Sequence, residues 1–177
     1  MTATRFVGHS IKRLEDRPLL TGAGRFVAGL RFADMLEAAF VRSPHAHAKL
    51  RAIDVRAAQQ YPGVHAVFTL ADLAPLLAQD RLPLQFRTAQ LPPDITPLVL
   101  AKDEVAFVGE AVAVVIAQTR YIAEDAAALV AVDYQPLAAV SDCRQALAPG
   151  APRVHSARAS NLLTEFPNVD GVVALGH

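Results

Sequence analysis

The chain has 177 residues, 53% hydrophobic and 19% charged, enough to bury the core of one domain with arms. Lys and Arg together number 17, as do Asp and Glu, so the formal charge is zero, and no cluster of cations interleaved with aromatics points to nucleic acid. A single cysteine, Cys143, excludes an internal disulfide framework and any zinc or iron–sulfur site built from this chain's cysteines alone.

The first ~33 residues show no clean periodicity. "RLEDRPLLTGAGRFVAG" mixes charge with turn signals at Gly22, Gly24 and Gly29, which predicts an irregular arm over residues 1–33 whose charges pair with one another or with a neighbouring chain. Two glycines of "GAGRFVAG" fit a dinucleotide fingerprint, but no strand precedes them and no helix follows, so the segment reads as a turn. "MTATRFVGHSIKRLEDRP" has no apolar core of signal-peptide length.

An α/β domain is expected over residues 34–140. "MLEAAFVRS", Met35 to Ser43, predicts a strand that ends at Pro44. In "RSPHAHA" the two histidines, His45 and His47, stand one residue apart and would point to the same side of an extended chain. They raise the prospect of a metal pair, yet zinc needs about four donors. The nearest further candidates, His65 and Asp72, are placed by nothing in the sequence. The expectation is a polar strand corner and no metal site. "AKLRAIDV" alternates Leu50 and Ala52 against Arg51 and Ile53, predicting a second strand, and Asp54 suits the N-cap of a short helix in "VRAAQQY" that Pro62-Gly63 stops. "VHAVFT" follows as a strand, and Thr69 with Asp72 has the spacing of a capping box opening "LADL".

Five prolines between Pro75 and Pro97 rule out a long helix or a central strand there and predict a long loop. Ala111 to Ala117 is a continuous apolar run, as expected of a strand covered on both faces, and is far short of the roughly 18–20 residues that cross a bilayer. Gly109 and Glu110 sit at its mouth. Glu110 is a candidate general base or ligand, although a glutamate at a strand start more often caps backbone amides. Thr119 should cap a helix over residues 120–130, with Ala123, Ala126, Ala127 and Val130 on its packing face, before "VAVDY" returns as a strand closed by Pro136. Strand–helix–strand thus occurs twice, predicting an α/β fold with a mixed sheet and short packing helices, followed by a C-terminal arm over residues 141–177. No G-x-S-x-G, H-E-x-x-H or C-x-x-C occurs, so the lone chain does not read as an enzyme.

In order and spacing, "IKRLEDRPLLTGAGRFV", "AAFVRSPHAHAKLRAIDVRAAQQYPGVHAVFT", "VAFVGEAVAVVIAQTRYIAEDAAALVAVDYQPL" and "APRVHSARASNLL" belong together. From about Gly8 to Leu163 the chain resembles the N-terminal α/β hammerhead domain of the molybdenum-binding subunit in the xanthine dehydrogenase, aldehyde oxidase and carbon monoxide dehydrogenase family. Two departures stand out. Ala28-Gly29 replaces paired acids that the family often has, and Gly109-Glu110-Ala111 stands where the family usually has proline third. Neither threatens the fold.

The resemblance implies a scaffold, interface and substrate-channel role within a molybdenum hydroxylase, which hydroxylates an aldehyde, an N-heterocycle or a CO-like substrate. The implied complex carries molybdopterin-bound molybdenum, with iron–sulfur clusters and FAD on partner subunits, and the chain alone binds none of these. Its expected partners are the molybdopterin-binding large subunit, an iron–sulfur subunit and an FAD subunit. In the family the cofactor-binding segments and the active-site glutamate lie after this domain, and "NVDGVVALGH" falls about where they would begin. Pro97, Leu98 and Val99 resemble the channel lining, Gly109 and Glu110 fall on a loop on the cofactor side, and no catalytic residue is expected here. The alternative is a free-standing interaction or assembly module with the same fold. A cytoplasmic location, with no membrane and no nucleic acid, is expected in either case.

Overall fold

In the computed structural model, residues 6, 8–83 and 96–163 are described. The chain divides into two units, Met1–Met35 and Leu36–His177. The first contains a short helix, α1 (Asp16–Leu20), and a 3-10 turn at Val27–Gly29. Arg13 and Asp16 pair within it at 2.9 Å, and none of its described residues is buried.

The second unit holds β1 (Glu37–Arg42), β2 (Ala48–Asp54), α2 (Arg56–Gln59), β3 (Val64–Phe68), α3 (Leu70–Leu73), β4 (Glu104–Val105), β5 (Ala111–Ala117), α4 (Arg120–Ala127) and β6 (Ala131–Pro136). Residues 141–163, the described part of the expected C-terminal arm, fall in this unit. The α/β class with short helices is as expected, and the pairing makes it specific. Two three-stranded sheets form, ordered β1-β5-β3 and β4-β2-β6, and every pairing between these strands is antiparallel. The two strand–helix–strand runs do not generate parallel neighbours because each helix carries the chain to the other sheet. α2 leads from β2 to β3, and α4 from β5 to β6.

β5 is central because its apolar run tolerates cover on both faces. Val115 packs with Ala58 of α2, Val67 of β3, and Ala126 and Val130 at α4. On the alternate face Val112 joins Ala48, Ala101 and Val105, while Val114 joins Leu70 and Leu100. α4 begins where expected, with Thr119 Oγ1 accepting the Ile122 N–H at 3.3 Å. It ends at Ala127 rather than Val130, since the Leu129 and Val130 amides turn back to Ala126 and Ala127. Val130 still reaches the core.

Two local expectations are refined. Asp54 accepts the Arg56 N–H at 3.0 Å, but the residue at the N-cap itself is Val55. In β2 the register shifts between Leu50 and Ala52, so Leu50 and Ile53 pack into the core while Ala52 is exposed. The predicted grouping of Leu50 with Ala52 therefore fails at a bulge, which inserts one residue and reverses the alternation.

Candidate functional site

The Pro-rich stretch enters and leaves through a short antiparallel bridge between Arg81 and Leu98. Leu82 N–H donates to Pro97 O at 2.8 Å, Val99 N–H donates to Asp80 O at 2.9 Å, and Arg81 reaches Thr96 O. Residues 84–95, with Pro92 and Pro93, lie outside the described residues. Beside this bridge is a cleft of about 800 Å³, lined by residues 80–81, 96–98, parts of 102–110, and Val154 to Ala157.

Of the sequence-predicted site residues, Pro97, Leu98 and Glu110 line the cleft together. Pro97 is exposed and Leu98 half-buried. Val99 packs with Leu98 against the Leu70–Leu100–Val114 cluster and is not part of the lining. Gly109 is not in the lining either. It makes the tight turn before β5 at φ +89°, a backbone that favours glycine. Its N–H donates to Ser43 O and its carbonyl accepts from Arg42, both at 2.8 Å.

Glu110 turns its Oε2 back onto the Ala106 N–H at 2.6 Å, the backbone-capping geometry. Burial pushes its carboxyl above the usual range, against the pull of that hydrogen bond and of nearby His155. A carboxyl so placed can hold a proton more tightly than an exposed one.

The histidines of "RSPHAHA" do not converge. His45 packs its ring 4.9 Å from that of Tyr134. His47 is buried, and its Nδ1 donates to Ala138 O at 3.0 Å, because a carbonyl can only accept. Its Nε2 lies 3.5 Å from Glu104 Oε2, and Glu104 Oε1 accepts the Ser156 N–H at 2.9 Å. Burial alone would raise the Glu104 carboxyl, but hydrogen bonds from Ser156 and the neighbouring His47 hold it below the usual range. Asp72 is occupied by its capping box, accepting the Thr69 N–H at 2.8 Å and its hydroxyl at 2.7 Å. Cys143 is exposed.

Sequence reasoning missed this His47–Glu104–Ser156 contact. Its partners are far apart in the chain, and Glu104 in "KDEV" looks like any solvated charge. Among the described residues no three His, Cys, Asp or Glu side chains gather to hold a metal ion, so this donor set does not fit a resident metal. No described helix is long and apolar enough to cross a membrane.

Residues 21–138, well over half of the chain, match the family model for the aldehyde oxidase and xanthine dehydrogenase a/b hammerhead domain. The chain belongs to this hammerhead family. The nicotine 6-hydroxylase large subunit of Paenarthrobacter nicotinovorans is 40% identical over 156 residues, 88% of this chain and 19% of that protein. The carbon monoxide dehydrogenase large chain of Afipia carboxidovorans is 42% identical over 146 residues, 82% of this chain and 17% of that one. Among solved structures, quinoline 2-oxidoreductase from Pseudomonas putida 86 superposes with a TM-score of 0.72 at 43% identity, covering 89% of this chain and 20% of that one. The hammerhead chain thus spans about a fifth of the length of the relatives it matches.

Proposed function

We propose that the chain serves as the hammerhead part of a molybdenum hydroxylase: a scaffold and interface for a cofactor-binding portion, and one wall of the channel by which substrate reaches it. The observation that carries this reading is the cleft that gathers Pro97, Leu98 and Glu110 beside the base of the Pro-rich loop. Pro97 and Leu98 give this wall an apolar patch among charged neighbours such as Lys49, Asp80 and Arg81, and such a patch beside fixed polar groups selects substrate by shape and orients it. The molybdopterin-bound metal supplies oxidative hydroxylation with oxygen from water. It is contributed by the molybdopterin-binding portion, while iron–sulfur and FAD subunits carry electrons away. The substrate class is an aldehyde, an N-heterocycle or a CO-like molecule, and the assembly is cytoplasmic.

Purified by itself, the chain is expected to contain no molybdenum and to show no dehydrogenase activity. Co-expressed with a cofactor-binding portion, it is expected to co-purify with it. In that assembly Leu98→Trp should raise KM for bulky substrates more than for small ones, with kcat little changed. Activity from the lone chain, or a Leu98→Trp assembly with unaltered KM for every substrate size, would overturn the reading.

A further inference from the structure

We propose that residues 139–157 form a strap latched against the cleft at two neighbouring side chains, the buried His47 and the partly buried Glu104, with Asn161 keeping the latched end in shape. The strap leaves the sheets where β6 ends. There Leu137 N–H donates to the His47 carbonyl at 2.9 Å, and the His47 ring donates to Ala138 O at 3.0 Å. It returns at Ser156, whose N–H donates to Glu104 Oε1 at 2.9 Å. Both ends of the strap therefore close on two side chains only 3.5 Å apart.

Between these anchors the strap is a run of turns tied to themselves. Gln145 N–H donates to Asp142 O, Ala148 N–H to Gln145 O, and Ala151 N–H to Ala148 O. Asn161 organises the returning end. Its Oδ1 accepts the Val154 N–H at 2.9 Å, while its Nδ2 donates to Ala146 O at 2.9 Å and to Pro152 O at 2.8 Å. One amide thus uses its acceptor and both its donors on backbone groups. The result presents Val154, His155 and Ser156 to the cleft.

This wall contains no strand or helix, so no sheet ladder fixes it, and in the proposal the latch sets its position. The Leu137 and Ala138 anchor includes a backbone bond that survives loss of Glu104, whereas the Ser156 anchor does not. The strap should therefore open from its Ser156 end and pivot about residues 137–138, leaving β5 paired. Glu104 and Asn161 are positioning residues that set how open the cleft is. This goes beyond the channel reading, because it holds whatever enters the cleft.

Hydrogen exchange on the full chain tests the latch. In Glu104→Ala and in Asn161→Ala, amides of residues 154–158 are expected to exchange at least about tenfold faster, with Ala111–Ala117 unchanged. Glu104→Gln keeps an acceptor for Ser156 and should fall between wild type and Glu104→Ala. Trypsin cleavage after Arg153, exposed within the strap, should accelerate in the same order. Unchanged exchange at 154–158 in both alanine variants would overturn the proposal. So would equal acceleration in β5, which would make these residues supports of the whole fold rather than a latch.

Discussion

Glu104 and Glu110 lie on one short stretch, yet their carboxyls are pushed in opposite directions, Glu104 down and Glu110 up from an ordinary value of 4.5. The difference lies in what answers their burial. Glu104 has Ser156 and His47, while at Glu110 burial outweighs the Ala106 amide, His155 and the Phe107 amide together. The signs follow by linkage. The stability that Glu104 contributes is present above about pH 4.5 and is lost as pH falls through its depressed folded value. At Glu110 the ionised form is penalised in the fold, so its cost is relieved as pH falls through its raised folded value and is gone below 4.5. Glu110→Gln keeps an acceptor for Ala106 and removes the buried charge. Its urea midpoint at pH 7 should rise, and the gain should vanish near pH 4. Glu104→Gln should do the reverse, losing about 1–3 kcal/mol at pH 7 and approaching wild type in acid. Parallel pH profiles for the two variants would contradict this account.

At the scale of elements, Gly63 links α2 to β3 at φ +85°, and its carbonyl accepts the Gln118 N–H at 3.0 Å just ahead of α4. A Cβ there would lie 2.8 Å from Ile122 Cδ1, the movable end of a side chain, so the cost of Gly63→Ala is mainly backbone strain. Urea unfolding should show a loss of about 1–2 kcal/mol that trimming Ile122 does not restore. Elements of this kind were legible where the signal is local: the apolar run of β5, the Thr119 cap, the Thr69–Asp72 capping box and the Pro62-Gly63 stop. The bulge at Arg51 was not legible, because one inserted residue reverses the alternation and leaves no mark in residue types. The division into two sheets escaped for a related reason, since strand pairing is non-local and both helical crossovers change sheets. The candidate site divides the same way. Leu98 was named from the family resemblance and Glu110 from its place at a strand mouth, and both line the cleft, whereas the convergence of His47, Glu104, Ser156 and Asn161 exists only after folding.

For the molecule as a whole, zero formal charge conceals an uneven distribution. The first 35 residues carry six Lys and Arg against three Asp and Glu, and the remainder balances them. The same first unit exposes Phe6, Leu14 (93%), Leu20 (87%), Val27 (87%) and Phe32, with no described residue buried. Segments below about 40 residues rarely stabilise themselves without a staple or a partner, and large apolar side chains left this open suit a surface that becomes covered. That fits a hammerhead family whose matched relatives are about five times longer than the region of likeness. The lone chain should therefore bind an apolar dye such as anilinonaphthalene sulfonate at its first unit, and raised salt should not weaken the binding, because the contact is apolar. The triple substitution Leu14→Ser, Leu20→Ser and Val27→Ser should lower the fluorescence at least about twofold while leaving the circular dichroism of the sheets in place. Unchanged fluorescence would move the sticky surface to the second unit, where Phe40, Phe107 and Tyr121 are the exposed aromatics to substitute among the described residues.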